Sequence, residues 1–270
     1  MPAPTEFTVT QLRRPIRTPD CPLIVDISID PDFDHDPHLI PGAFRHPHTD
    51  VDGLKALING RDRIITCQQA IKLCQRLVAW VRGDGIVAPY LQGGNYPWRD
   101  AIDTIRIPAS AIPAFVDKAT LWLTRHRPKI DRIACPWLIR RFVDRKTQLL
   151  FVSAVEVMGG AERYGPTPFD IEGVAFSHHG QGSTFDAMLD RFHLHLSALD
   201  RLARIVRATD TNRHNDAPEA AGLLALSAGL SRQYKDDQQQ KEAGMAIYDA
   251  LCRWARDGQN EGHAWPQERR

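Results

Sequence analysis

The apolar run Ile64-Ile65-Thr66 ends at Cys67, and a helical pattern begins at once and continues through Leu73 to Trp80 and Val81. A short apolar strand that feeds directly into a helix is the repeating step of an α/β sheet, so it constrains the first third of the chain strongly. It also predicts a thiol at a helix N-terminus, where backbone N–H groups and the helix dipole add positive potential. Both effects favour thiolate over thiol, which makes Cys67 a candidate nucleophile, with Lys72 as a nearby cation. The alternative is a small apolar residue closing a strand, because unpaired cysteine is often buried and inert.

The same alternation runs through residues 1–107. Apolar runs predict strands over 22–26, 63–66 and 88–91, and amphipathic spacing predicts helices over 51–58 and 70–82. The sheet is expected to be central and parallel with flanking helices. A join follows at Ile105-Arg106-Ile107-Pro108. Ser110 is then expected to cap a linker helix over 110–123, within a linker spanning 108–124. A second domain, mostly helical with some strand (α+β), is expected over 125–270.

Four segments of the first region, in order, resemble the rhodanese (sulfurtransferase) domain. They are Leu23-Ile24-Val25-Asp26, His38-Leu39-Ile40-Pro41-Gly42-Ala43, the Cys67 loop, and Tyr90-Leu91-Gln92-Gly93-Gly94 followed by Trp98. The resemblance covers roughly residues 7–107 and implies a persulfide sulfur carried on Cys67. The active-site loop departs from the family at Ala70 and Leu73, and Ser28 stands where the family often has arginine. The implied sulfur transfer is therefore expected to be weak, because alanine is costly where a backbone wants φ > 0.

Net charge is +1, so bulk electrostatics points to no nucleic-acid partner. Apolar content of 43% and charged content of 25% are those of a globular protein, and no run approaches a membrane span. Five cysteines without close spacing form no evident disulfide framework, which suggests a cytoplasmic location.

The second half opens with Arg125, Arg127, Lys129 and Arg132 ahead of Cys135. Two helix starts compete. One begins at Pro136 with Cys135 as its cap, giving a second thiol at a positive helix end. The other begins at Asp131 and leaves Cys135 in the core. Further on, strands are predicted over 149–152 and 174–177, a short helix over 155–163, and a helix after Ser183 or Thr184. Long helices are predicted over 196–208, 217–230 and 234–256. His178 and His179 end the later strand, and only one of them can face a given site.

Residues from about Arg125 to Trp265 resemble the C-terminal domain of the chromate resistance protein family of the ChrB type. The similarity is most specific over Arg125–Val143, Phe169–Asp186, Pro218–Leu230 and Tyr248–Trp254. Some fuller-length members of that family are regarded as chromate-responsive regulators and carry a different N-terminal region, so a DNA-binding role is not expected to transfer. The resemblance implies an association with chromate resistance and with the stress response to it.

Two chemistries compete for the second half. Arg125, Lys129, Arg132 and Cys135 have the composition of an oxyanion site. Asp131, His178 and Asp210 are candidate ligands of a divalent metal, with the cofactor otherwise undefined. The leading expectation is thiol-based handling of an oxyanion or weak sulfur transfer, with a small sulfur donor or acceptor, or an oxyanion, as partner. The alternative is a non-catalytic chromate or metal sensor or binding protein with a degenerate rhodanese module.

Overall fold

The computed structural model describes residues 6–58, 63–66, 71–116 and 119–261. The chain divides into two compact units. The first comprises the residues up to Thr120 together with Ile139–Thr147; the second comprises Leu121–Leu138 and the chain from Gln148 onward.

In the first unit the strands are β1 (Glu6–Phe7), β2 (Leu23–Asp26), β3 (His38–Leu39), β4 (Ala43–Arg45), β5 (Arg63–Thr66), β6 (Tyr90–Leu91), β7 (Ile107–Pro108) and β8 (Phe115–Val116). The helices are α1 (Val9–Arg13), α2 (Asp30–His35), α3 (Val51–Ile58), α4 (Ile71–Gly83) and α5 (Asn95–Asp100). Five strands form a wholly parallel sheet in the order β1-β6-β5-β2-β4. β2 is buried along its whole length, as a strand covered on both faces should be. Val25 and Ile65 pack with Leu54, Ile58, Leu77, Val78 and Val81 of α3 and α4. Ile24 and Ile64 pack with Leu12, Phe33, Leu39 and Trp98. The α/β class, the parallel sheet and the helices over 51–58 and from 71 agree with the expectation from sequence.

Cys67 and Ala70 lie outside the described residues. Lys72 is exposed in the first turn of α4. On the described side of that junction a buried polar chain closes the carboxyl ends of β2 and β5. Thr66 Oγ1 donates to Asn95 Oδ1 at 2.5 Å, Asn95 Nδ2 donates to Asp26 Oδ2 at 3.0 Å, and Ser28 Oγ donates to Asp26 Oδ1 at 2.5 Å. Ser28, the departure from the resembled family noted above, thus satisfies the buried Asp26 carboxylate, whose pKa is raised by burial.

Among the described residues the expected linker helix over 110–123 does not form. Residues 109–111 make one 3₁₀ turn, and β9 (Ala119–Arg125) follows. Thr120, Trp122 and Thr124 are residues that suit a pleated strand, and β9 is buried at five of its seven positions. It is the central strand of its sheet, paired on both edges, and successive residues on its two faces are buried, so the alternation that marks a half-exposed strand is lost.

In the second unit β9 pairs in parallel with β10 (Gln148–Val152) and β11 (Thr167–Pro168). Six helices follow in chain order: α6 (Asp131–Leu138), α7 (Val157–Tyr164), α8 (Thr184–Arg191), α9 (Ser197–Asp210), α10 (Ala220–Gln233) and α11 (Asp237–Asp257). The helix-rich α+β character expected for this half is observed. The segment 174–177 makes no strand. Phe176 alone bridges to Phe169 and inserts its ring against Trp122, with centroids 5.0 Å apart in an edge-on arrangement. No helix among the described residues is long and apolar enough to cross a membrane.

Candidate functional site

β9 and β11 run parallel, with Trp122 opposite Thr167 and Leu123 opposite Pro168, so their carboxyl ends emerge at one edge of the sheet. That edge is where open α/β sheets usually place ligands. β9 delivers Arg125 there, and the chain leaving β11 delivers Asp170. Phe169 N–H donates to the Leu123 carbonyl at 3.0 Å, and Thr124 Oγ1 donates to the Phe169 carbonyl at 2.9 Å, which fixes the exit from β11. Asp170 then turns at φ +53°, a left-handed conformation that aspartate tolerates better than most residues. Its carboxylate is held on several sides. Arg125 Nη2 donates to Oδ2 at 2.9 Å, Arg132 Nε lies 3.2 Å from the same oxygen, and Thr184 Oγ1 donates to Oδ1 at 3.0 Å.

Asp131 opens α6 and is 1% exposed. Thr184 N–H, at the start of α8, donates to Oδ2 at 2.6 Å. The other oxygen, Oδ1, is buried and has no hydrogen-bond partner. An unsatisfied buried carboxylate oxygen is rare and costs roughly 1–3 kcal/mol or more for a charged group, so it calls for an explanation. Asp210 stands at the end of α9. His178 closes the cluster. Its Nε2 lies 3.4 Å from Asp131 Oδ2, 3.3 Å from Asp170 Oδ1 and 3.4 Å from Asp210 Oδ2. One donor atom from each of Asp131, Asp170 and His178 falls within 4.8 Å of the others.

The electrostatics follow from crowding three carboxylates. Burial raises the Asp131 pKa well above the usual carboxylate range, and the neighbouring Asp210 and Asp170 charges add to it. Asp210 is raised by burial and by Asp170. Burial would also raise Asp170, but hydrogen bonds from His178 and Arg125 outweigh it and hold that carboxyl below its ordinary value. His178 is raised to about 8, chiefly by its bond to Asp170 and then by the surrounding carboxylates. Three carboxyl groups therefore face two guanidiniums and an imidazole that the carboxylates keep protonated to about pH 8.

Of the expected site residues, Arg125, Asp131, Arg132, His178 and Asp210 converge. Lys129 is exposed and its described tie to the cluster is through its backbone carbonyl, which accepts from Arg132 N–H at 3.0 Å. Cys135 is corrected: it sits inside α6, fully buried, and burial followed by the negative charge of Asp131 pushes its thiol well above the ordinary range. It is no thiolate and holds no anion; the helix starts at Asp131, with Pro136 tolerated inside it. Asp170 was not singled out from sequence, although it lies beside Phe169 in one of the most specific segments. His179 is exposed, and Ser183 caps α8 by accepting from Asp186 N–H.

The geometry defines the second unit as a small parallel sheet with an Asp–Asp–His cluster at its carboxyl edge, backed by helices. Residues 122–255 match the family model described as ChrB, C-terminal domain, and this half of the chain is a domain of that family. Among curated proteins it is similar to Protein ChrB of Cupriavidus metallidurans, 33% identical over 131 residues, which is 48% of this chain. The match spans 39% of that relative's length. Two crystal structures are also similar to part of the chain. One is a protein of Staphylococcus saprophyticus with 24% identity, covering 34% of this chain and 91% of its own, with a TM-score of 0.30. The other is a rhodanese-like domain protein of Staphylococcus aureus with 21% identity, covering 35% and 91%, with a TM-score of 0.31.

Proposed function

We propose that the ChrB-type domain binds a divalent metal ion through Asp131, Asp170 and His178, with Asp210 beside them, and that the chain works as a metal-dependent binding or sensing protein associated with chromate resistance. The observation that carries this reading is the buried, unpartnered Oδ1 of Asp131, one residue of a donor set whose atoms lie within 4.8 Å of one another. A dication supplies the missing partner and offsets the repulsion among three carboxylates. Two carboxylates and one imidazole suit a hard-to-borderline ion such as Mn²⁺, Co²⁺ or Zn²⁺. Arg125 and Arg132, each paired to Asp170, orient that ligand from behind, as outer partners of metal ligands commonly do.

Thermal unfolding with each of these ions tests the reading. Metal binding stabilises the folded state by mass action, so a saturable rise in Tm is expected for the wild type and none for His178→Ala or Asp131→Asn. Equal shifts in wild type and both variants would count against the site.

Sulfur transfer at Cys67 is a second reading. It is favoured by the Thr66–Asn95–Asp26 chain, which anchors the end of β5 immediately before Cys67. A thiosulfate:cyanide assay of wild type against Cys67→Ala tests it, and equal turnover in the two would remove it.

A further inference from the structure

We infer that the first unit holds a binding site for a small carboxylate with an apolar body, seated against Phe33 and Phe44 with its head group on Arg45. All residues that carry the site belong to the first unit, so it stands independently of the metal reading.

A cavity of about 620 Å³ opens beside β4, the edge strand of the five-stranded sheet. That volume falls within the roughly 300–1,000 Å³ of small-molecule sites. Its apolar wall includes Phe33 of α2, Leu39 of β3, Phe44 of β4, Leu57 of α3, Ile112, and Phe115 of β8. Phe115 is exposed and Phe33 is buried, so the wall runs from solvent into the body of the unit. Apolar and aromatic surface left open in this way gains from contact with a second apolar body.

The polar part of the wall selects the charge of the ligand. Three cations, Arg45, Arg145 and Lys146, meet the cavity against two carboxylates, Asp50 and Asp144. The Arg45 guanidinium carbon stands 4.0 Å from the centre of the Phe33 ring, which places a cation directly on the apolar wall. Lys146 Nζ stands 5.9 Å from the centre of the Phe44 ring. Among the described residues, the side-chain hydrogen bonds of Arg45 leave from Nη2, to the Ser28 carbonyl at 3.0 Å and to Asp30 Oδ1 at 2.7 Å. Its Nε and Nη1 are left to take a carboxylate, and the side chain is 33% exposed.

The carboxylates are already engaged. Asp144 is buried; one of its oxygens accepts from Thr120 N–H and Oγ1, and the other from Lys146 N–H. Asp50 Oδ1 accepts from Gly53 N–H at the start of α3. Asp50 and Asp30 are both exposed, so solvent and salt screen them. An ammonium head group would meet Arg45 and Lys146 instead of an acceptor, whereas a carboxylate is attracted by both.

Isothermal titration of octanoate, phenylbutyrate, octanol, octylamine and acetate into the full chain near neutral pH, without added metal, tests the inference. Octanoate and phenylbutyrate should bind at one site per chain. Acetate should bind at least a hundredfold more weakly than octanoate, because it buries no chain. Octanol and octylamine should bind at least tenfold more weakly, because neither accepts a charge-assisted bond from Arg45. Arg45→Gln should weaken octanoate at least fivefold and leave octanol within twofold. Ala109→Phe, which fills the cavity from its wall, should abolish the binding of both. Thermal unfolding checks that each variant is folded; if Ala109→Phe is not, Arg45→Gln and the ligand series decide. No uptake of octanoate at millimolar concentration would overturn the inference, as would equal binding of octanoate and octanol, or octanoate binding unchanged in Arg45→Gln. Self-association of the chain that Phe115→Lys abolishes and octanoate leaves intact would give the cavity to a second copy and overturn it as well.

Discussion

Tyr248 of α11, fully buried, donates its hydroxyl to the carbonyl oxygen of Ile130 at 2.9 Å. Ile130 stands at φ +42°, a left-handed conformation in which a β-branched residue is an outlier that costs on the order of 1–3 kcal/mol. The next residue is Asp131, so the strained turn sets the direction from which that carboxylate enters the site. Two helical N–H groups, from Ile133 and Ala134, also hold the Ile130 carbonyl.

Tyr248→Phe removes one of several donors to that carbonyl and is expected to cost about 1 kcal/mol. Metal affinity should fall while the fold survives, as seen by calorimetry and metal titration of the same variant. Ile130→Gly tests the strain from the other side. Relief of a left-handed conformation returns roughly 1–2 kcal/mol, but loss of a buried isoleucine side chain costs about 2–5 kcal/mol. The variant should therefore be less stable, and a rise in Tm would show that the strain outweighs the packing.

Asp170→Asn keeps the shape of the side chain but removes the charge that Arg125 and Arg132 share. Arg125 can turn to solvent, whereas Arg132 is mostly covered, so a loss of about 2 kcal/mol is expected, less than the roughly 3–5 kcal/mol for breaking a fully buried pair. That corresponds to a drop in Tm of roughly 5 °C, together with loss of metal binding. An unchanged Tm would mean that both arginines find equivalent partners elsewhere.

The metal-free protein should lose stability as pH rises through about 8. His178 is raised in the folded state from 6.5 to about 8, chiefly by Asp170, so its contribution is complete below pH 6.5 and disappears above 8. Asp131 and Asp210 are raised as well, which means that the folded state holds their protons more tightly and also loses ground as pH rises. All three trends have one sign. Denaturant unfolding of metal-free protein between pH 6 and 9 should show the decline, and His178→Gln should flatten it near pH 8.

Cys21, Cys74, Cys135 and Cys252 are all buried, and burial raises Cys21 to about 11 and Cys135 well above its ordinary value. Native iodoacetamide labelling at neutral pH should spare these four. If Cys67 is the nucleophile, it should label at pH values well below the ordinary thiol pKa of about 8.5. Labelling of Cys67 no faster than Cys252 would remove the thiol from the account.

Local signals were legible in the sequence where they act within a few residues. Asp131 was one of two candidate starts of α6, Ser183 one of two candidate caps of α8, and apolar runs and amphipathic spacing place β2, β5 and α3. What depended on partners was not legible. The 110–123 segment has apolar residues at near-helical spacing, but its Thr and Trp side chains fit a strand buried between β10 and β11. The apolar run at 174–177 suggested a strand, but Phe176 is used as a wedge against Trp122. Asp170 acquires its role from the register of β11 with β9 and from its own positive φ, and neither is encoded in nearby spacing. Cys135 reads as a cap from Pro136 alone and becomes core once α6 begins at Asp131.

The most direct test of the metal site is the metal content of the purified chain after incubation with a divalent ion and exhaustive dialysis, measured by elemental analysis for wild type and Asp131→Asn. The account predicts close to one tightly held ion per wild-type chain and almost none in a folded Asp131→Asn variant. No retained ion in the wild type, or equal retention in the two proteins, would contradict it.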